Sequence, residues 1–254
     1  MKLMPDKKHD ILLKEVPNLN CWKEAQEWIQ EGQNLVAQLT SKAILEEEIL
    51  SIDWSDINQQ REFPFGLYHS EKWRQFVLAT FLADLVSYTI PVDQVNFERL
   101  AFVMHLFPQG FRTWWIKLQN NLWWPVGYTG WYPMLENAYA LFERSPEKLK
   151  DRMVIPNTHA SDQPPYLYLF NYSVAPALKK SRLSKNLIKQ YVHEIGNQKA
   201  RGLACITVSE DGKRLADRLG MCCTGHLILD GSIEDVYTTS TIHPNRKPVH
   251  LEVD

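Results

Sequence analysis

Cysteine is scarce in this chain, and neither sign of charge is in excess. The four cysteines among 254 residues are too few and too irregularly spaced for a disulfide framework or a paired-cysteine metal site. The 28 Lys and Arg residues nearly balance the 30 Asp and Glu residues, which excludes a strongly basic nucleic-acid-binding protein. These absences favour a folded protein of a reducing, cytoplasmic setting that has no nucleic-acid partner.

Long apolar runs and the best-known catalytic motifs are missing as well. No window approaches about twenty uncharged apolar residues, which predicts the absence of a membrane span. The charged N-terminal segment has no apolar core of the kind found in secretory signals. Because HExxH, GxSxG and phosphate-loop motifs do not occur, the sequence predicts no metal site and no hydrolase chemistry of those classes.

Tryptophan, by contrast, is abundant. Five of the nine tryptophans fall between positions 114 and 131, in a chain that is 44% hydrophobic and therefore able to bury a large core. Most of these rings are expected to pack inside. Trp124 and Trp131, which stand beside Pro125 and Gly130, are the candidates for contact with an acceptor or partner.

Hydrophobic periodicity divides the chain into two parts. Residues 1–110 show helical stripes at 22–39 and 73–88 around a turn-rich stretch at 51–68, and we predict a helical N-terminal extension there. Residues 111–254 alternate in the order β-β-α-β-α-β-α-β-β and begin with a hairpin, which predicts a separate α+β domain. The first hundred residues carry a net charge of −6 (10 basic, 16 acidic), and the remainder carries +4 (18 basic, 14 acidic).

One strand-turn-helix stretch concentrates the positive charge. An apolar strand over Tyr166–Val174 leads through a short turn into a helix predicted over Ser181–Gln198, and residues 179–201 hold seven Lys or Arg against one Glu. The first N–H groups of a helix lack internal partners and sit at the positive end of its dipole, so they attract phosphate. The stretch therefore suits a polyphosphate ligand, and a solvated basic helix face is the alternative.

Three short motifs in this part resemble those of the GCN5-related N-acetyltransferase (GNAT) family. Val174-Ala-Pro176 ends the strand, and Lys179 to Ser184 stand where the family has its phosphate-binding turn. Ser209 opens a second segment that ends in Leu219-Gly-Met, at the spacing of the family's next motif. Upstream, Val126-Gly-Tyr is similar to the family's hairpin strand.

The resemblance implies a fold and an activity. The fold is a mixed, mostly antiparallel acyl-CoA N-acyltransferase sheet flanked by helices, after an N-terminal helical extension. The activity is transfer of an acyl group, acetyl above all, from acetyl-CoA or another acyl-CoA to an amine without a metal. The acceptor is a small molecule or a protein Lys, and the acidic first hundred residues suit a cationic one such as a polyamine or a Lys-rich segment.

The resemblance also implies which residues form the site. The predicted coenzyme A contacts come from the end of the strand, the turn, the first helical residues and the next motif: Tyr172, Ser173, Val174, Lys179, Lys180, Ser181, Arg182, Leu183, Ser184 and Ser209. The predicted catalytic residues are Tyr168, Ser173 and Ser209.

This chain departs from the family at several positions. Lys180 and Arg182 stand in place of glycines that allow a phosphate to approach the backbone. Ala216 stands where the family often has an acid Tyr. The possible substitutes for that acid are Tyr168, Tyr172, Ser209, Glu210 and one of the adjacent Cys222 and Cys223. A catalytically silent module that binds coenzyme A or another protein is therefore the alternative hypothesis.

Overall fold

The computed structural model describes residues 49–59, 72–88, 93–117, 123–150, 153–158, 164–229 and 231–239, and the structural statements below concern these residues. The predicted helical stripe at 22–39 and the turn of the predicted hairpin lie outside them, as does Cys21.

Seven strands form one mixed sheet. They are β1 (Ile49–Asp53), β2 (Phe111–Lys117), β3 (Trp123–Met134), β4 (Tyr166–Val174), β5 (Gly202–Thr207), β6 (Cys222–Leu229) and β7 (Ser232–Thr238). Their order is β1-β2-β3-β4-β5-β7-β6. The pairs β1–β2, β5–β7 and β6–β7 are antiparallel, whereas β4 and β5 are parallel. The parallel pair requires a crossover, which the helix between β4 and β5 supplies.

Six α-helices connect the strands of the described chain. They are α1 (Trp54–Gln59), α2 (Lys72–Ser87), α3 (Phe97–Leu106), α4 (Glu136–Arg144), α5 (Arg182–Asn197) and α6 (Glu210–Arg218). Local chemistry sets the bounds of α3, because the Asn96 side chain caps its first turn and Pro108 follows its end. None of the described helices combines the length and apolar character needed to cross a bilayer.

The described chain forms two compact units. The first contains the residues up to Tyr128 together with Ser173–Ser184, and the second contains Thr129–Tyr172 and the residues from Lys185 onward. In the first unit, the fully buried Asp84 on α2 accepts hydrogen bonds from the Tyr128 hydroxyl (2.9 Å) and the Val95 N–H (2.8 Å). These bonds satisfy a charged group that would otherwise be costly to bury.

Aromatic packing dominates the second unit. The Tyr132 ring lies 5.3 Å from that of Tyr168, and the Phe142 ring lies 5.5 Å from it. The Tyr191 hydroxyl of α5 donates to the Gly130 carbonyl at 2.8 Å, which fixes that helix against β3. The buried Tyr191 hydroxyl thus has a partner while its ring fills the core.

The predicted fold class is confirmed. The protein is α+β with a mixed, mostly antiparallel sheet flanked by helices, and the element order predicted from residue 111 is the one observed. The sequence did not predict β1, which lies in the stretch interpreted as turn-rich and pairs with β2. The domain boundary near residue 110 stays a prediction.

The tryptophan cluster packs inside the protein. Trp114, Trp115, Trp124 and Trp131 are all buried. Trp124 and Trp131, at 2% and 6% exposure, therefore offer no surface for an acceptor or partner in this structure, and the packing role expected for the other rings extends to them.

Candidate active site

The parallel pairing of β4 and β5 ends early. Only Tyr166–Tyr168 pair with Gly202–Ala204, although β4 continues beyond Tyr168 and β5 beyond Ala204. On its other side β5 stays paired with β7 through Thr207. The facing edges of β4 and β5 past Tyr168 and Ala204 are therefore released from mutual ladder bonds.

Main-chain hydrogen bonds hold the turn that follows β4. The Ala175 N–H donates to the Val126 carbonyl on β3 at 2.7 Å, and a short 3-10 turn follows over Pro176–Leu178. Lys180 then adopts a φ of 66°, a left-handed conformation that glycine favours. The predicted replacement of a glycine by Lys180 therefore falls on a position where the backbone does require that conformation.

Ser181 is the cap of helix α5. Its Oγ accepts the Ser184 N–H at 3.2 Å, while the Ser184 hydroxyl donates to the Ser181 carbonyl at 2.9 Å. Both side chains are buried, as is Leu183 between them. Three N–H groups of the predicted phosphate-binding turn are thus already satisfied by the protein, since those of Lys179 and Ser181 donate to the Pro176 and Leu178 carbonyls at 3.2 and 3.1 Å.

The basic side chains of this segment lie on the surface. Lys179, Lys180, Arg182, Lys185 and Lys189 are exposed, while the intervening Leu183 and Leu187 are buried. The alternation places the cations on the solvent side of an amphipathic helix. Their long stems allow them to reach an anion at the helix start without a change of backbone.

The three predicted catalytic residues lie in different surroundings. Tyr168 is 8% exposed and enclosed by rings, including Phe170 at 6.3 Å, which favours packing over proton transfer. The Ser173 Oγ, at the end of β4, is buried and has no hydrogen-bond partner among the described residues. Ser209 caps α6, where its Oγ accepts the Gly212 N–H at 3.2 Å.

Tyr172 is better placed than Tyr168 for proton transfer. It lies on the part of β4 that β5 no longer pairs with, is only half-buried, and stacks on Tyr191 with ring centroids 6.4 Å apart. The pKa of Tyr172 is raised to about 12, chiefly by burial and also by the charge of Asp211, while the charge of Arg218 opposes the rise. Its hydroxyl is therefore a protonated donor at neutral pH.

The other possible substitutes for the family's acid are poorly suited to the role. Ala216, at the usual acid position, is buried and has no polar group. Burial raises the pKa of Cys205 on β5 to about 12, so that thiol is inert at neutral pH. Glu210 forms an ion pair with Lys213 at 3.1 Å. Cys222 and Cys223 lie on the edge strand β6, which β7 separates from β5.

Sequence reasoning missed a polar cluster on β6 and β7. His226 Nδ1 lies 2.6 Å from Asp235 Oδ1, and Lys213 Nζ lies 2.8 Å from Asp235 Oδ2. The pairing of β6 with β7 brings these residues together. No motif spacing announces the cluster, because a cross-strand partner is fixed by register and not by distance along the chain.

Comparison with known proteins gives structural likenesses alone. No protein-family model matches the chain, and no curated protein sequence matches it. The solved NatC complex bound to Gag peptide and CoA is 10% identical over 75% of this chain and 97% of that chain, with a TM-score of 0.46. The loading GNATL domain of CurA from Lyngbya majuscula is 11% identical over 65% and 92%, with a TM-score of 0.47.

A third solved structure that resembles this chain is Arabidopsis thaliana Naa50 in complex with the bisubstrate analogue CoA-Ac-MVNAL. It is 10% identical over 76% of this chain and 99% of that chain, with a TM-score of 0.43. At these identities and TM-scores the likenesses establish no activity for this chain.

Proposed function

We propose that this chain is an acyl-CoA-dependent N-acyltransferase that moves an acetyl group from acetyl-CoA to an amine by direct attack on the thioester. The observation that carries the proposal is the early end of the β4–β5 pairing. The pantetheine arm of coenzyme A is an extended chain with amide groups. Such a chain can bond to a released strand edge as an added strand does.

The phosphates are assigned to the start of α5. The helix dipole and the exposed side chains of Lys179, Lys180 and Arg182 together favour a pyrophosphate there. The missing glycines remove space for close backbone approach, and the cations supply direct contacts in compensation. The orphan hydroxyl of Ser173 supports a polar ligand group near the end of β4, because a buried hydroxyl without a partner is costly.

The reaction needs one proton donor and one route for a proton to leave. The amine lone pair attacks the thioester carbon, the C–N bond forms, the C–S bond breaks, and the departing thiolate takes a proton. We assign that donation to the Tyr172 hydroxyl, which burial keeps protonated. The proton lost by the attacking nitrogen passes to water, and a main-chain N–H near Ser173 polarises the carbonyl, as the family resemblance implies.

The test measures thiol release from acetyl-CoA across a panel of amines. Turnover with at least one amine is expected. Arg182→Glu, which reverses a charge at the start of α5, and Ser184→Trp, which fills a buried position of its first turn, should both weaken acetyl-CoA binding. Lys189→Glu is the matched control, because it reverses an exposed charge two turns further along the same helix and should leave binding nearly unchanged.

The alternative is a silent module that binds coenzyme A or a protein. Ala216 favours it, because the usual proton donor is absent from that position. Calorimetric binding of coenzyme A without turnover on any amine would support the module. Absence of coenzyme A binding at millimolar ligand would refute the acyltransferase and the coenzyme-A-binding module, and would leave the protein-binding module.

The acceptor is proposed to be a cation-bearing amine. The net charge of −6 over the first hundred residues attracts such a substrate by long-range electrostatics. The KM for a polyamine or a Lys-rich peptide should therefore rise with salt, while the KM for a neutral amine of similar size stays flat. Equal salt dependence for both would contradict this assignment.

A further inference from the structure

A β-bulge turns two metal-binding side chains of β6 to the same side of the sheet. Cys223 pairs with Tyr237 on β7, and Gly225 pairs with the next residue, Val236. The register therefore shifts by one residue, and Thr224 is the additional residue of the bulge on β6. Residues three apart on a regular strand point to opposite faces. The added residue cancels that difference, and Cys223 and His226 therefore lie on one face.

The bulge is held in place by the packing around it. The Thr224 hydroxyl donates to the Phe142 carbonyl at 2.7 Å, which anchors the extra residue to the end of α4. A Cβ on Gly225 would lie 2.6 Å from Cγ of Pro146, closer than two carbons can approach. Glycine at this position lets the backbone pass Pro146, so the displacement of β6 is built into the fold.

The third side chain comes from the neighbouring strand. Asp235 on β7 lies directly opposite His226, and the ligand atoms of Cys223, His226 and Asp235 all fall within 4.8 Å of one another. Lys213 bonds Asp235 Oδ2 at 2.8 Å, which holds the carboxylate with Oδ1 towards His226. Metal-binding carboxylates are commonly oriented by such an outer partner.

We infer that Cys223, His226 and Asp235 form a binding site for a Zn²⁺-class divalent cation, with the fourth coordination position open to solvent. A thiolate, an imidazole nitrogen and a carboxylate oxygen are the ligand types that zinc takes, whereas calcium and magnesium prefer oxygen alone. Tetrahedral zinc separates its ligand atoms by about 3.3 to 3.7 Å, given its usual bond lengths. The present spacings, which run from 2.6 Å between His226 Nδ1 and Asp235 Oδ1 to at most 4.8 Å among the three ligand atoms, bracket that range.

Exposure makes the site accessible. The His226 side chain is 61% exposed, Cys223 is exposed, and Asp235 is half-buried below them. On binding, the Cys223 thiol releases its proton to solvent, and the cation displaces the hydrogen between His226 Nδ1 and Asp235 Oδ1. That hydrogen also leaves to solvent, and the ring's one remaining hydrogen is carried by Nε2. The site does not depend on the proposed acyl transfer, since none of its ligands is assigned to that reaction.

The test uses the full-length chain freed of metal by a chelator. We expect Co²⁺ to bind with one equivalent that shows thiolate-to-cobalt absorption in the near ultraviolet, and Zn²⁺ to displace it. Cys223→Ser should abolish the absorption, and His226→Ala and Asp235→Asn should each weaken Zn²⁺ binding by at least about 100-fold. Thermal melts check that the variants fold.

Cys222→Ser is the matched control, because it removes the adjacent thiol of the same strand. It should leave both the absorption and the affinity unchanged. The proposal is overturned if the absorption persists in Cys223→Ser, if Cys222→Ser removes it instead, or if the folded His226→Ala and Asp235→Asn variants bind Zn²⁺ as the unmodified chain does.

Discussion

At the scale of single residues, Tyr172 is the side chain on which the proposed chemistry depends most. Tyr172→Phe keeps the ring that stacks on Tyr191 and removes the hydroxyl. We expect kcat to fall by about 100-fold or more while the KM for acetyl-CoA stays close to its original value. Steady-state kinetics with the best amine of the panel measure both.

The pH profile and a control separate this role from a structural one. Since burial raises the pKa of Tyr172 to about 12, the hydroxyl stays protonated through neutral and mildly alkaline pH, and its ionisation should not reduce turnover there. Tyr166→Phe, on the same face of β4 but in the paired part, should leave kcat unchanged. Equal losses in both variants would assign the effect to packing.

Ser173 should show opposite effects on stability and activity. Its buried hydroxyl has no partner among the described residues, so Ser173→Ala removes an unsatisfied polar group and should stabilise the protein by about 1 kcal/mol. If the hydroxyl meets acetyl-CoA, the same variant should raise the KM for acetyl-CoA. Urea unfolding and kinetics measure the two effects, and a stability gain with unchanged KM would remove Ser173 from the site.

Lys180 carries backbone strain that a glycine would relieve. At a φ of 66° a residue with a Cβ is disfavoured by about 1 to 2 kcal/mol, from which the greater chain entropy of glycine must be subtracted. Lys180→Gly should therefore stabilise the protein by up to about 1 kcal/mol in urea unfolding. Lys179→Gly is the control, because the φ of −57° there suits any residue and the change should destabilise.

At the scale of elements, an ion pair joins the first strand to the second. Arg112 Nη2 donates to Asp53 Oδ2 at 2.5 Å and Nη1 donates to the Ser51 hydroxyl at 3.1 Å, both across the β1–β2 pairing. Partial burial raises the pKa of Asp53, but hydrogen bonds from Ser55 and Asp56 and the charge of Arg112 outweigh it and hold the pKa below its ordinary value.

This pair makes stability depend on acid pH. Because the folded pKa of Asp53 is lowered, its contribution is present above the ordinary carboxyl pKa and is lost as the pH falls through the folded value. Asp53→Asn should cost about 1 kcal/mol near neutral pH, since solvent screens a partly exposed pair, and less in acid. Urea unfolding at the two pH values checks this, and a constant difference would contradict it.

The elements also show where prediction from sequence succeeded and where it failed. Strand β4 and helix α5 were predicted almost to their ends, because an apolar run followed by an amphipathic helix is a local pattern. Strand β1 was missed because a segment of only five residues, which ends at Asp53, shows little hydrophobic periodicity. Its extended conformation depends on pairing with β2, which is distant in the sequence.

At the scale of the whole molecule, the sequence predicted the fold class and the location of the proposed site better than the roles of individual residues. Order and spacing of motifs survive substitution, and they located the strand, the turn and the basic helix. The surroundings of a side chain depend on tertiary packing. Tyr168 and Tyr172 lie four residues apart on the same strand, yet aromatic rings enclose the first side chain and the second is half-exposed.

The unequal bonding of the two edges of β5 has a consequence for hydrogen exchange. Alternate amides of a strand point to opposite neighbours, so those of β5 that face β7 should exchange slowly with deuterium, while those facing β4 beyond Ala204 should exchange quickly. Coenzyme A bound along that edge would slow the fast set and leave the slow set unchanged. Deuterium uptake in this one strand thus reports whether coenzyme A occupies the proposed site, and the measurement needs no acceptor amine.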